Sequence, residues 1–275
     1  MLEIYVFKLG YVGGVDLYRV ARLVNAPQNI IRLIVGDAVR NIGEPNLGGI
    51  IYSKAQLFNL FPVVDIKAIR VGITIAPLEG NFYTHTQSTN AILISLFQTD
   101  ELCEKAKRTK EEYIAQTALT ELLWLQYKSR KSNSHFSDLF HQDTRGCIFD
   151  FVAHKPDKIH KLKIGQIDPI CKGKLVEANV PESVVTAVER IIKRIQRPSF
   201  IGSLIQGLSK PLFSFVFGGV FIGLIINTLS SLALGEFDSI RDYFIVGFLF
   251  LLAIALAVGN YIWMLVLSNS NRNTV

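Results

Sequence analysis

The longest apolar stretches of the sequence lie in its last quarter, and they predict two membrane-spanning helices. No residue between Pro211 and Gly235 carries a charge, and none between Tyr243 and Asn271 does. Each stretch exceeds the roughly 20 apolar residues that cross a hydrocarbon core about 30 Å thick. Within lipid, a helix satisfies the backbone polar groups of such a segment internally. Because only EFDSIRD connects them, we expect a two-helix hairpin with spans 211–235 and 243–267.

Charged residues on either side of the first span predict its orientation. Basic residues dominate upstream of it, whereas acidic residues dominate the connecting loop, at Glu236, Asp238 and Asp242. Short flanking segments rich in Lys and Arg stay on the cytoplasmic side of a membrane. We therefore expect an integral protein of the inner or plasma membrane, with the lipid bilayer as a partner. The N-terminal domain and the C-terminus would both be cytoplasmic.

Small and polar residues within the spans indicate where membrane helices pack. Gly219 and Gly223 have the small-xxx-small spacing that lets helix backbones approach closely in lipid. Asn227 and Asn260 place amides in or near the hydrocarbon, where an unpaired polar group is costly. These residues either join the two spans of one chain or join neighbouring chains, and the second alternative predicts a homo-oligomer.

Apolar periodicity in the rest of the chain predicts a domain of strands and helices. Alternating or continuous apolar runs predict strands at Leu2–Leu9, Ala68–Ile75 and Ala91–Phe97, while 30–35 fits either a strand or a helix. Helical spacing predicts helices within 15–26, 54–60, 111–128 and 184–197. Interspersed strands and helices favour an α/β or α+β domain with a mixed sheet over residues 1–180. The amphipathic helix and a juxtamembrane linker then fill 181–210.

Composition narrows the partners of this domain. The net charge of +6 comes partly from the basic cluster before the first span, and no basic stripe is interleaved with aromatic residues. A nucleic-acid partner is therefore not expected. The cysteine count is three, and all three lie in the domain expected in the cytoplasm, so a structural disulfide is not expected either.

Histidines and cysteines concentrate between Ser129 and Lys174, and their order resembles a known family. The segment holds His135, His141, Cys147 and Cys171. It resembles archaemetzincin-type zincins, whose HExxH motif and third histidine bind a catalytic zinc and whose cysteines bind a structural zinc. Aligned without gaps, the two histidines match the second and third of that family, and the two cysteines match two of its four. The resemblance covers about 68–175 and implies a zincin-like fold, with VGITIAPLEGNFYTHTQSTNAILISLF supplying a strand, a polar aromatic loop and an edge strand.

Departures from the family pattern remove the catalytic residues. In the ungapped alignment, Lys131 replaces the first histidine and Ser132 replaces the general-base glutamate. A gapped alternative places Thr120 to Trp124 on the motif, which keeps Glu121 but loses both histidines. A zinc-activated water needs three protein ligands and a nearby base. We therefore predict no catalytic residue, and an enzyme is less favoured than a pseudoenzyme.

The remaining ligand types allow a structural metal. Two imidazoles and two thiolates, from His135, His141, Cys147 and Cys171, suit one structural zinc. The alternative is that these are loop histidines and buried cysteines, with no cofactor bound.

Together these features favour a membrane-anchored cytoplasmic sensor or binding module. In this interpretation, a catalytically dead zincin-like domain recognises a protein or small molecule and signals through the hairpin. Two alternatives stay open: a membrane-bound metallopeptidase, and an oligomerising, membrane-disrupting effector of a bacterial defence system.

Overall fold

A mixed sheet of five strands organises the part of the chain that the structure describes. The strands are β1 Leu2–Lys8, β2 Ile31–Val35, β3 Ile69–Thr74, β4 Thr84–Gln87 and β5 Ala91–Ser95. They lie in the order β2-β1-β3-β5-β4. Neighbouring strands run parallel except that β4 is antiparallel to β5. The predicted α/β domain with a mixed sheet is confirmed.

Alternating side chains divide the apolar residues of the sheet between two cores. On β1, Ile4 and Val6 face the larger core, whereas Phe7 faces the smaller one. On β5, Ile92 and Ile94 likewise join the larger core. Because successive side chains of a strand point to opposite faces, the continuous apolar runs in the sequence correspond to strands covered on both sides.

Eight α-helices accompany this sheet in the described part of the chain. They are α1 Leu17–Asn25, α2 Lys54–Phe58, α3 Asp100–Ala106, α4 Lys110–Arg130, α5 Phe136–Leu139, α6 Asp157–Ile164, α7 Pro169–Glu177 and α8 Glu182–Gln196. The longest, α4, is buried on nearly every side. Its first turn is closed by a capping box, in which Glu112 N donates to Thr109 Oγ1 over 3.2 Å and Thr109 N donates to the Glu112 carboxylate over 2.9 Å.

Two parts of the topology differ from the expectations drawn from sequence. Thr84–Gln87 forms the edge strand β4 inside the stretch expected as a polar aromatic loop. Consequently Ala91–Ser95 lies between β3 and β4 and is an interior strand, so its assignment as an edge strand was wrong. An edge strand pairs on one side only, and THTQ has no apolar alternation to mark it. The polar stretch 129–174 contains α5, α6 and most of α7, which apolar spacing did not indicate.

The computed structural model describes residues 1–64, 68–87, 90–131, 133–152 and 157–197. Among them, residues 1–196 form one compact unit, and α8 is part of it. No helix within these ranges is both long and apolar enough to cross a bilayer. The predicted spans 211–235 and 243–267, with Gly219, Gly223, Asn227 and Asn260, lie outside the described residues.

Buried amides and one guanidinium fasten the end of α8 to the end of α6, and we call this group the polar clasp (Arg108, Gln116 and Gln196). Gln196 Nε2 donates to Leu162 O over 3.0 Å, and Gln116 Nε2 donates to Lys161 O over 2.9 Å. The Arg108 guanidinium donates to Ile195 O over 3.1 Å and also to the Gln196 side-chain oxygen.

A glycine allows the clasp to close. Gly165 has a φ of +50°, and a Cβ at this position would lie 2.2 Å from Gln196 Nε2. Residues with a Cβ rarely adopt this left-handed backbone conformation. The position therefore requires glycine for both backbone and packing reasons.

Candidate functional site

A cavity of about 380 Å³ opens between β4, α4, α5 and α6. Glu121, near the middle of α4, lines it and is 8% exposed. Thr84 and Thr86 point to the same side of β4, as strand alternation requires. Their hydroxyls donate to the two oxygens of Glu121 over 3.1 Å and 2.6 Å. The carboxylate is thus held in place as a hydrogen-bond acceptor at the cavity wall.

Aromatic rings form a second wall of the cavity, which we call the aromatic wall (Trp124, Phe136, Phe140 and Phe151). Phe136 and Phe140 stack with ring centroids 3.8 Å apart, and Trp124 meets each of them edge-on at 5.7 Å. Phe151 meets Phe136 edge-on at 5.6 Å. Edge-to-face and stacked rings are favourable arrangements, so the four rings form a continuous apolar surface.

Two lysines of α6 lie at the polar end of the cavity. Lys158 is 8% exposed and Lys161 is 6% exposed. Their spacing of three residues puts both on one face of the helix. Lys161 Nζ donates to the Asp150 carbonyl over 3.1 Å, and Lys158 Nζ lies 5.4 Å from the ring centroid of Tyr113 and 5.9 Å from that of Tyr83.

The ammonium groups of Lys158 and Lys161 form no direct ion pair with a carboxylate among the described residues. In residues 1–64, 68–87, 90–131, 133–152 and 157–197, no carboxylate forms an ion pair with either ammonium group. Burial and, to a smaller extent, the charge of Lys161 together lower the pKa of Lys158 to about 7. Burial also lowers the pKa of Lys161. The cavity therefore holds separated charges rather than ion pairs.

A second cluster, of His141, Cys147 and Cys171, adjoins this region. One ligand atom from each of the three residues lies within 4.8 Å of the other two. Cys147 Sγ accepts hydrogen bonds from the backbone N–H groups of Phe149 and Asp168, both over 3.4 Å. Donors aimed at a sulfur stabilise a thiolate, which is the form that binds metals. Both cysteines are free and buried.

The surroundings of His141 leave one ring nitrogen available. Nδ1 lies 3.1 Å from Asp143 O and 3.4 Å from Asp150 Oδ1. Because a carbonyl and a carboxylate only accept, Nδ1 carries the proton. Nε2 is buried and has no hydrogen-bond partner among the described residues. A histidine that binds a metal has this arrangement, with its second nitrogen held by a carboxylate or a carbonyl.

Asp150 is itself positioned by a tight turn. Its Oδ2 accepts a hydrogen bond from Gly146 N over 2.7 Å. Gly146 has a φ of +79°, and a Cβ there would lie 2.5 Å from Ile164 Cβ. Only glycine brings the backbone this close. The turn thus fixes the carboxylate that orients His141.

The two thiols of the cluster affect one another. Hydrogen bonding with Cys171 lowers the pKa of Cys147 to about 6, and backbone donors contribute against the effect of burial. The same interaction raises the pKa of Cys171. Cys103, by contrast, lies in α3 outside the cluster, where burial raises its pKa to about 11. The first thiolate of the cluster is therefore on Cys147.

The structure groups three of the four residues expected from sequence to bind metal. His141, Cys147 and Cys171 come together, whereas His135 does not belong to this group. His135 is exposed at the start of α5, where its backbone N–H donates to Asp138 over 2.9 Å. Sequence spacing could not show that α5 turns Phe136, rather than its neighbour His135, toward the cavity.

The helix boundaries also distinguish the two motif alignments. α4 ends at Arg130, so Lys131 of the ungapped alignment lies beyond the helix. Glu121 of the gapped alignment lies inside it and faces the cavity. On either side of that glutamate, the Thr120 hydroxyl donates to Gln116 O over 2.9 Å, and Trp124 joins the aromatic wall. Within the described ranges, the residues that could bind a metal and lie close together are His141, Cys147 and Cys171. No such group surrounds Glu121 in those ranges.

Sequence reasoning missed Lys158 and Lys161. The feature of the sequence that could have indicated them is their spacing of three residues within DKIHKLK, which places both lysines on one face of a helix. In a polar segment this pattern is typical of a solvated surface. Their burial depends on α4 and on the tyrosines packed against α6, which no local pattern reveals.

Comparisons with known proteins give similarity at the level of structure alone. No family model and no curated protein matches the sequence. Among solved structures, archaemetzincin from Archaeoglobus fulgidus is similar with 10% identity and a TM-score of 0.39, over 63% of this chain and 99% of the other. Archaemetzincin from Methanopyrus kandleri is similar with 12% identity and a TM-score of 0.42, over 65% of this chain and 95% of the other.

Proposed function

We propose that residues 1–196 form a small-molecule-binding module that does not hydrolyse peptides, and that the predicted hairpin anchors it in a membrane. The observation that carries the proposal is the cavity beside Glu121. Its volume of about 380 Å³ and its aromatic wall suit a small molecule. Two lysines line its polar end, and an ammonium group there would repel a cation such as a catalytic zinc.

We also propose that His141, Cys147 and Cys171 hold a structural zinc. The residues supply three of the four ligands that a structural zinc takes, namely an imidazole nitrogen and two thiols, one of them a stabilised thiolate. A bound zinc would cross-link the segment after α5 to α7. Its role would be to stabilise the floor of the cavity, since Asp150 contacts both His141 and Lys161.

The membrane part of the proposal rests on the sequence. Spans 211–235 and 243–267 would tether the module at the bilayer with its N-terminal domain in the cytoplasm. Gly219 and Gly223 would allow a second copy to pack against the first span. Ligand binding in the cavity would then bias the packing of the hairpin, and the protein would act as a membrane-anchored sensor.

Metal analysis of the full chain, purified in mild detergent, tests the zinc assignment. We expect about one zinc per chain, measured by inductively coupled plasma mass spectrometry. His141→Ala and Cys147→Ser should each remove it, because each deletes a ligand. His135→Ala is the matched control and should retain it, because His135 lies outside the cluster. Retention of zinc in Cys147→Ser would contradict the assignment.

A hydrolysis assay separates a binding module from a metallopeptidase. The zinc-loaded full chain is incubated with a mixed peptide library, and cleavage is followed by mass spectrometry. We expect no cleavage, with or without chelator. Chelator-sensitive cleavage that Glu121→Gln abolishes, while folding is kept, would identify Glu121 as a general base and refute the proposal.

A further inference from the structure

The two lysines of the cavity are unusual because both amines are buried without a counter-ion in the described residues. Burying an ammonium group is costly unless it is paired. Lys161 has one carbonyl acceptor, and Lys158 has two tyrosine rings, which stabilise a cation only modestly. Both side chains line the cavity. The polar end of the cavity therefore offers two donors for a ligand and lacks their partner.

Three of the four carboxylate oxygens that Glu121 and Asp150 bring to the same cavity accept hydrogen bonds. Both oxygens of Glu121 accept threonine hydroxyls. Oδ2 of Asp150 accepts Gly146 N, whereas its Oδ1 has no hydrogen-bond partner among the described residues and lies 3.4 Å from His141 Nδ1. A positively charged ligand would have to displace the threonine hydroxyls from Glu121, and it would also approach two ammonium groups. An incoming negative charge, by contrast, finds donors without displacing a described hydrogen bond of Lys158.

We infer that the cavity binds a small organic anion, whose acidic group pairs with Lys158 and Lys161 while its apolar body packs on the aromatic wall. This inference rests on the proposed function, since it names the ligand class of the same cavity. A carboxylate and a phosphate monoester share the required chemistry, and the probes below distinguish them. The cavity volume of about 380 Å³ limits the ligand to a small molecule.

Binding should be linked to proton uptake by Lys158. Its free pKa of about 7 leaves the amine mostly neutral at pH 8.5. An anion favours the charged form and raises this pKa, so the affinity should fall as the pH rises above 7. The titratable groups that face Lys158 come from four elements: Lys161 on α6, Glu121 and Tyr113 on α4, Cys103 on α3, and Tyr83 and His85 at β4.

Most of these neighbours do not change charge between pH 7 and 9. Burial raises the pKa of Tyr83 to about 12, that of Cys103 to about 11, and that of Tyr113 well above 10. Burial lowers the pKa of His85, which favours the neutral form of this ring. Burial also lowers the pKa of Lys161. Its contribution to the pH dependence is measured with the variant Lys161→Met.

The test follows Trp124 fluorescence in the full chain, with Trp263→Phe so that the cavity tryptophan is the only one. The probes are 3-phenylpropanoate, phenyl phosphate and the uncharged 3-phenylpropanamide, titrated at pH 6.5 and 8.5. We expect at least one anion to bind, and the amide to bind at least about tenfold more weakly. The affinity for the anion should fall about tenfold between the two pH values.

Variants assign the effect to the cavity lysines. Lys158→Met should weaken anion binding at least about tenfold at pH 6.5 and remove most of its pH dependence, because it deletes one charged partner. Lys161→Met should weaken binding as well. Lys163→Met is the matched control, since Lys163 lies on the same helix but is exposed, and it should leave binding unchanged.

Several outcomes would overturn the inference. Equal binding of the amide, equal effects of Lys158→Met and Lys163→Met, or no binding of either anion at pH 6.5 would each do so. Isothermal titration of 3-phenylpropanoate in two buffers of different ionisation enthalpy provides a check without variants, because this carboxylate is ionised at both pH values and proton uptake by Lys158 should appear at pH 8.5 and vanish at pH 6. Chelator-sensitive peptide cleavage would instead refute the proposed function, and it is read in a different assay.

Discussion

Replacing Lys158 with methionine should stabilise the domain, and the gain should depend on pH. The pKa of this lysine is about 7 in the fold, against an ordinary value of 10.5, because burial disfavours its charged form. Each pKa unit corresponds to about 1.4 kcal/mol. The buried charge therefore costs the folded state on the order of 5 kcal/mol at neutral pH and below. Methionine keeps the length of the side chain and removes this cost.

The sign of the pH dependence follows from proton binding. Between pH 7 and 10.5 the unfolded chain holds a proton on Lys158 that the folded chain does not. The stability of the wild type therefore rises with pH across this window and is flat below it. The free energy of unfolding of Lys158→Met should exceed that of the wild type by about 3–5 kcal/mol at pH 6. Near pH 10 the two should be nearly equal.

Urea unfolding of the full chain in mild detergent measures this difference. Trp124 fluorescence, in the Trp263→Phe background, reports the domain because Trp124 packs in the aromatic wall. Lys163→Met serves as the control and should follow the wild type at each pH. If Lys158→Met is destabilised at pH 6, or if its gain is the same at pH 6 and pH 10, the reasoning about a desolvated ammonium fails.

Three further predictions test other parts of the structure. Gly165→Ala should lower the free energy of unfolding by about 2 kcal/mol or more in urea, because a Cβ in a left-handed conformation would meet the polar clasp; unchanged stability would contradict this. Thr86→Val should cost about 1–3 kcal/mol by the same assay, since it leaves an oxygen of buried Glu121 without its donor, and a neutral result would refute that role. Gly219→Leu with Gly223→Leu should reduce crosslinked oligomers in membranes without affecting insertion, and an unaltered oligomer distribution would exclude packing through these glycines.

Alternation and helical spacing predicted the elements that are buried on two sides. The strands Leu2–Lys8 and Ala91–Ser95 are largely apolar runs, so they can be recognised as strands from the sequence alone. The edge strand Thr84–Gln87 has polar residues toward Glu121 and one neighbouring strand only. Nothing local distinguishes it from a loop, because its pairing with β5 is what defines it.

The candidate site divides in the same way. The resemblance selected His141, Cys147 and Cys171 among its candidates, and the structure brings these three residues together. It could not locate the buried lysines, because the burial of Lys158 and Lys161 is decided by distant helices. It also could not exclude His135, whose exclusion depends on the short helix α5.

The polar clasp also determines how mechanical load would travel through the domain. Arg197 follows Gln196 directly in the chain. The side-chain amide of Gln196 donates a hydrogen bond to Leu162 O, and its amide oxygen accepts one from Arg108. A pull on Arg197 would load several short hydrogen bonds at once, and these bonds end on the helix that carries Lys158 and Lys161. Tension at the exit of the chain would thus act directly on the C-terminal end of the helix that carries both lysines. By the same linkage, a displacement of α6 would be transmitted to Gln196, the last residue of α8.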